Sequence, residues 1–540
     1  MNTLYYNGTI ITVHDAQPIA EALLVKNGKI AAVGTEAEVR TLADAETTMV
    51  DLSGKTMLPG FIDGHSHIGG INTSFPTLYC SPSGTTDSKE ALLDGIRALL
   101  EKGELLDNGW LVVQGYDNAV FENQAHPTIQ ELDAISTEVP ILALHASGHV
   151  AVMNTKGFAR MGWTKDTPNP EGGVIEHDLD TGELTGFLEE KAIHLVAFEQ
   201  VFKDLHPETI IKLFVNTQKY YASNGLTTAQ EGATLPDMVP MLKYCRDNGL
   251  LLLDIVSYVM QDYAPELVPT NSVSQAYEHH LKFAGAKLVS DGSPQGKTAW
   301  LTEPYYEPPA NKDKDYRGYP IYTDEQMYHF CYDCIKNNTQ LLVHCNGDAT
   351  ADQFIRTYKQ AKKELGSTAD LRPVIIHGQT LREDQLDAMK ELGMMVSFFH
   401  DHVFYWGDYH LDSVLGPERG RRISPLASAL KRDIPFTLHS DFSVTPINVI
   451  FHIHNAVNRK TRNGRDCGPE FAVSVMDAIR AVTINGAYQY FDEDLKGSLE
   501  VGKLADLVIL DKNPLAVPKE TIKDIKVLET IKEGTTIYKA

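Results

Sequence analysis

Phe61–Gly70 reads FIDGHSHIGG. An apolar pair, Phe61-Ile62, runs into Asp63-Gly64 and then into two histidines one residue apart, His65 and His67. On a strand, residues i and i+2 point to the same side, so the two imidazoles are placed as a pair. The pattern alone decides nothing. With 20 histidines in 540 residues, His-x-His arises about 0.7 times by chance. The chain carries three copies: His65/His67, His400/His402 and His452/His454. Context separates them.

Working outward, MLPGFIDGH is the first of eight short apolar segments. The others are GLTTAQEG (225–232), LLLDIVSYV (251–259), FAGAKLVSDGS (283–293), TQLLVHCNGD (339–348), RPVIIHGQ (372–379), GMMVSFFHDH (393–402) and IPFTLHSD (434–441). Most are separated by stretches of helical length, such as Arg382–Gly393. Strand–helix alternation predicts parallel strands, and eight units predict an α/β fold of the (β/α)8 TIM-barrel type. The barrel is expected over residues 59–491. Residues 70–220 break the alternation and are expected to form a large insertion after the first barrel strand.

The chain ends read differently. Residues 3–13 alternate and β-branch like a strand, and ALLVKNGKIAAVG is a hairpin turning at Asn27-Gly28. Near the C-terminus, KLADLVILDKNP and KVLETIKEGTTIYKA repeat the style, with a turn at Glu533-Gly534. Residues 1–58 and 492–540 are therefore expected to build one small β-sandwich domain from both termini.

Composition bounds the function. A chain of 540 residues exceeds one compact core and should divide into two or three units. The net charge of −24 argues against nucleic acid and anionic membranes as partners. No apolar run reaches the roughly 18 residues of a membrane span, and MNTLYYNGTIITV lacks the form of a signal peptide. The six cysteines are sparse and scattered, which suits a reducing compartment and a cytoplasmic location. Cys331-Tyr-Asp-Cys334 has no second pair and sits in a helix-like run, so both are read as packing residues.

The remaining polar residues now have places. His65 and His67 end the first strand, Lys287 lies in the fourth, His344 ends the fifth, His377 the sixth and Asp441 the eighth. A barrel gathers its catalytic groups at the C-terminal strand ends. A lone histidine there is more often a satisfied core residue. His400 and His402 end strand seven, where substrate contact and structural hydrogen bonding are both open. His452/His454 lies in INVIFHIHNAVNRK, a helix-like run in which i and i+2 diverge, so packing is the expected role.

With these residues in view, the chain resembles the metal-dependent amidohydrolase superfamily. The carriers are GFIDGHSH, the strand-four lysine, the histidines of strands five and six, and Ser440-Asp441. Further stretches resemble the amidohydrolase-3 family, which includes N-substituted formamide deformylases: LHASGHVAVMN (144–154), PNPEGGVIEHD (168–178), GELTGFLEE (182–190), DGSPQGKTAWLTEPY (291–305) and SDFSVTPINV (440–449).

The resemblance implies one or two divalent ions per chain, with zinc the expected metal. It assigns His65, His67 and Asp441 to a first ion and His344 and His377 to a second. Lys287 matches a lysine often carboxylated by carbon dioxide to a carbamate that bridges both ions; a salt-bridged lysine is the alternative. Such ions bring the pKa of bound water from 15.7 to about 7. The metal-activated hydroxide would attack a carbonyl, with Asp441 as general base. His149 matches a family position near the active site, as a catalytic or substrate-holding group, and Asn154 is a weaker candidate of the same kind. FFHDHVFYWGDYH (398–410) is rich in aromatics and suggests an apolar wall.

The deaminases of this superfamily usually carry a glutamate three residues after the strand-five histidine. Here His344 is followed by Cys345, Asn346, Gly347 and Asp348, which favours hydrolysis. The expected reaction is cleavage of a non-peptide C–N bond in a small amide-type substrate, an N-substituted formamide or N-acyl compound. Lactone, carbamate or phosphoester hydrolysis on the same core is the alternative, and a non-catalytic scaffold a third reading. A homodimer is left open.

Overall fold

The computed structural model describes residues 2–69, 88–118, 121–122, 125–146, 150–170, 173–202, 205–309 and 312–540. Its centre is an eight-stranded sheet with the strands in strict chain order. They are β1 (Phe61–Ile62), β2 (Leu226–Thr234), β3 (Asp254–Met260), β4 (Leu281–Val289), β5 (Gln340–Cys345), β6 (Val374–His377), β7 (Met395–Phe398) and β8 (Phe436–Leu438). All neighbouring pairs are parallel, so every strand ends on the same side. Each of the eight apolar segments of the sequence overlaps one of these strands.

The strands are apolar because both faces are covered. Val374–His377 and Met395–Phe398 are buried at every residue, as expected of parallel strands under helices. The sheet curls until β8 comes beside β1. A β carbon on Gly64, just past β1, would lie 2.5 Å from Thr437 Oγ1 of β8. Only glycine leaves room for that approach.

The contact pattern divides the chain into two compact units. The first comprises Met1–Ile68, Gln218–Ser440 and Ile447–Ala540. Besides the curled sheet it contains a four-stranded and a six-stranded sheet. The six-stranded sheet pairs N-terminal Thr56–Pro59 with C-terminal Leu507–Leu510. Tyr5, Leu23 and Val25 of one sheet and Ile10, Met57, Leu507 and Ile531 of the other share one apolar cluster. The second unit comprises Gly69–Thr217 and Asp441–Pro446. It is built on a five-stranded sheet running Gly173–His177, Leu184–Glu190, Val150–Met153, Ile141–His145, Leu111–Tyr116.

At the N-terminal end of the curled sheet lies a buried ionic network. Asp254, which opens β3, is bonded by Lys496 and by Lys532 at 2.9 Å, and Lys532 also reaches Asp506 at 3.0 Å. His280, just before β4, places Nδ1 2.7 Å from Asp254 and 3.8 Å from Glu533. The hydrogen bond to Asp254 raises the His280 pKa above its usual value. A raised folded pKa stabilises most below the unfolded value of about 6.5 and loses that contribution as pH climbs through the folded value. The ring is a third exposed, so the effect stays below about 1 kcal/mol. The thermal advantage of wild type over His280→Gln is expected to shrink from about pH 6 upward. Melting curves across that range check it; an advantage growing with pH contradicts the pairing.

Among the described residues no helix is long and apolar enough to cross a membrane. Cys245, Cys331, Cys334, Cys345 and Cys467 are free and buried. Cys331 and Cys334 sit in the helix Asp324–Lys336, in the packing role expected of them.

Candidate metal centre

The C-terminal end of the curled sheet collects imidazoles. His65 and His67 follow β1, His344 is in β5, His377 closes β6, and His439 follows β8. The ring centroids of His65 lie 5.1 Å from His67, 5.6 Å from His377 and 5.3 Å from His439. His344 and His377 are 4.5 Å apart, and His377 and His439 5.2 Å. His65 and His67 can bring ring nitrogens within 4.8 Å of each other. Lys287, from β4 and 1% exposed, places Nζ 3.0 Å from His65 Nε2. Register explains the convergence, since Val289 of β4 pairs with His344, and Cys345 pairs with His377.

Each ring is held by a neighbour. His65 Nδ1 meets Gln230 Oε1 at 2.5 Å. His344 Nδ1 meets Asp291 Oδ1 at 3.1 Å. Asp291 also accepts from the backbone N–H groups of Trp300, Asn346 and Gly347 and from the Thr350 hydroxyl. His377 Nδ1 lies 3.1 Å from His439 Nε2, and His439 Nδ1 lies 2.7 Å from Ser397 Oγ. His67 Nδ1 stands 3.9 Å from the buried Glu231 carboxylate. An acceptor orients Nδ1 of His65 and of His344, as it does in metal-ligating histidines; the Asn346 amide stands 3.3 Å from His344 Nε2. Imidazole donors suit zinc and similar divalent ions, so the residues fit such a group.

Backbone strain accompanies the cluster. His377 has φ 76° and Asp441 φ 52°, a left-handed conformation that costs about 1–3 kcal/mol per residue. Asp441 stands in the turn after β8, where the Val444 N–H donates to its carbonyl at 2.7 Å. It follows His439 by two residues, so their Cα atoms are at most about 7.6 Å apart.

Other expectations need correction. Asn154, read as a substrate contact, is a helix cap. Its oxygen accepts from Ile141 and Gly157 N–H, and its amide donates to Ser136 and Val139 carbonyls. With both donors and its acceptor used, nothing remains for a substrate. His400 is buried, and its Nε2 donates to the His452 carbonyl at 2.7 Å, which favours the structural reading. Burial takes its pKa down to about 4.

His400, Asp401 and His452 have the composition of a metal site, but they are wired as a hydrogen-bond network. His452 Nδ1 bonds Asp401 at 2.6 Å, and Asn455 donates to the same carboxylate at 3.0 Å. His452 is thus more than the packing residue expected of its helix. His402 is buried against Phe399 and Trp406, at ring distances of 4.6 and 4.5 Å. Phe399 itself stands 5.9 Å from the His377 ring. His149 lies outside the described residues.

Gln230, Glu231, Asp291 and His439 carried no signal in the spacing. The only hint was position: Gln230 and Glu231 close TTAQEG, Asp291 closes LVSDGS, and His439 precedes Asp441 by two.

A profile of the Amidohydrolase family (Amidohydro_3) matches residues 48–538. Across 547 residues the sequence is 25% identical to the N-substituted formamide deformylase of Arthrobacter pascens, covering 98% of this chain and 97% of that protein. It is 28% identical over 554 residues to the protein LONG AFTER FAR-RED 3 of Arabidopsis thaliana, covering 99% and 91% respectively. Among solved structures, an uncharacterized metal-dependent hydrolase from Pyrococcus horikoshii OT3 aligns with a TM-score of 0.75 at 22% identity, over 96% of this chain and 99% of the other. That likeness establishes a shared fold.

Proposed function

The chain belongs to the Amidohydrolase family, and on that premise we propose that it hydrolyses a non-peptide C–N bond in a small amide, an N-substituted formamide or N-acyl compound. The observation that carries the reading is the meeting of histidines from β1, β5 and β6 with Lys287 of β4 at one sheet end. His65, His67 and Asp441 would hold one divalent ion, and His344 and His377 a second. Such an ion supplies a water of lowered pKa and polarises the scissile carbonyl.

The chain's own residues do the rest. Asp441 takes the proton of the attacking water and hands it to the leaving nitrogen, so amide and water become acid and amine. Phe399 and Trp406 shield the site and receive an apolar substituent. The acidic surface and sparse cysteines support a cytoplasmic enzyme that binds neither nucleic acid nor membrane. The terminal sheets are read as one β-sandwich.

Lys287 is assigned as a carbamate. Beside divalent ions a neutral amine is favoured over ammonium. Carbon dioxide adds to that amine, a C–N bond forms and one proton leaves. Lys287→Ala is expected to lose turnover by orders of magnitude, on the order of 10²-fold or more. Short-chain carboxylic acids should restore part of it by supplying the missing anion. Wild-type rates in Lys287→Ala, or a bare amine in electron density from active, metal-loaded crystals, contradict the assignment.

A substrate panel on metal-loaded protein tests the reaction class. Amides are expected to turn over at least about 10-fold faster than lactones, carbamates or phosphoesters of matched size. A preference for any of those three contradicts the C–N assignment.

A further inference from the structure

The hydrogen bonds around His65 determine its tautomer, and the determination starts three links away. Tyr490, which follows the helix Ile484–Gln489, donates its hydroxyl to the Asp63 carbonyl at 2.5 Å. Burial pushes the pKa of this phenol far up, so it keeps its proton. Having given that hydrogen away, the Tyr490 oxygen can only accept from its next neighbour. That neighbour is Gln230 Nε2, at 2.9 Å. The second hydrogen of the same Nε2 goes to the Gly64 carbonyl at 3.1 Å.

A carbonyl has nothing to donate, so the Gln230 amide has one permitted orientation. Flipped, it would set oxygen against the Gly64 oxygen. Its Oε1 therefore faces His65 Nδ1, 2.5 Å away, and an amide oxygen there requires a hydrogen on Nδ1. In a neutral ring the lone pair then belongs to Nε2, the nitrogen 3.0 Å from Lys287 Nζ.

The geometry of the pair is tightly bounded. Gln230, His65 and Tyr490 are each 1% exposed or less, so water cannot take over any of these bonds. Gln489 donates to the same Gly64 carbonyl at 2.8 Å and accepts from Thr437 at 2.9 Å. Gly232, two residues after Gln230, lies against the ring. A β carbon there would stand 2.3 Å from His65 Cε1 and 2.9 Å from Gln230 Oε1. A side chain at position 232 would therefore collide with both the imidazole and the amide.

We propose that Gln230, locked by the Gly64 carbonyl and Tyr490, is a positioning residue that holds His65 as its Nδ1–H tautomer and so presents Nε2 to the metal. The second half rests on the metal reading proposed above; the first half does not.

Two measurements test the halves separately. Neutron diffraction from deuterium-exchanged, metal-free crystals of the wild type should place deuterium on Nδ1 of His65 and none on Nε2. Zinc affinity, measured by indicator competition, should fall about 10–100-fold in Gln230→Met. It should fall by less in Tyr490→Phe, which removes one of the two acceptors that hold the Gln230 amide, leaves the Gly64 carbonyl and the packing, and covers the case in which Gln230→Met does not fold. Deuterium on Nε2 overturns the tautomer assignment. Both variants binding zinc within twofold of wild type overturn the positioning role. A wild type that takes up no zinc overturns the metal half, while the neutron map still decides the tautomer.

Discussion

Asp441→Asn is expected to lower turnover by about 10²–10⁴-fold while substrate affinity changes much less. The substitution removes the proton-accepting charge and also weakens Asp441 as a ligand of the first ion. Asparagine keeps one oxygen and nearly the same volume, and like aspartate it tolerates the left-handed backbone seen at φ 52°. The turn after β8 should therefore survive. What is lost is a group able to take a proton from water and return it to the departing amine. The residue is tied by two peptide units to His439, which touches His377. Steady-state kcat and KM, with melting curves to verify folding, check the expectation. A kcat near wild type would mean that another group handles the proton.

The strands are legible in the sequence because their chemistry is local. A parallel strand covered on both faces must be a short apolar run, and VIIH, MVSF and LLVH are such runs. The polar residues at strand ends stand out against them, which is why His65, His344, His377 and Lys287 can be picked out by position along the chain. The second unit is not legible in this way. Leu111–Tyr116, Ile141–His145 and Val150–Met153 are strands too, but they belong to a mixed sheet and lack regular helical spacers. The alternation that marks a curled parallel sheet is absent there.

The site is legible in its ring-bearing residues and not in what holds them. Gln230, Asp291 and Tyr490 act through hydrogen bonds to residues far away in the chain; Gln230 and His65 are 165 positions apart. No spacing rule encodes such a pair. The same limit explains Asn154, whose place in GHVAVMN suggests a substrate contact while its amide is needed to cap a helix. His400 shows it once more. A second His-x-His at a strand end has the right composition, and only the bonds to His452 and Asp401 show its wiring.

Removing divalent metal is expected to have the largest effect of all. The imidazoles are oriented by Gln230 and Asp291 toward one sheet end, and without an ion no described side chain replaces its Lewis acidity. Acid–base catalysis alone accounts for about 10²–10⁴-fold, so loss of the metal should exceed that and abolish measurable turnover. The most direct test is elemental analysis of protein purified without chelator, paired with amide hydrolysis before stripping, after stripping and after zinc is returned. The account predicts about one to two divalent ions per chain, no turnover once they are removed, and recovery with zinc. Protein that holds no metal and keeps full activity in chelator would contradict it.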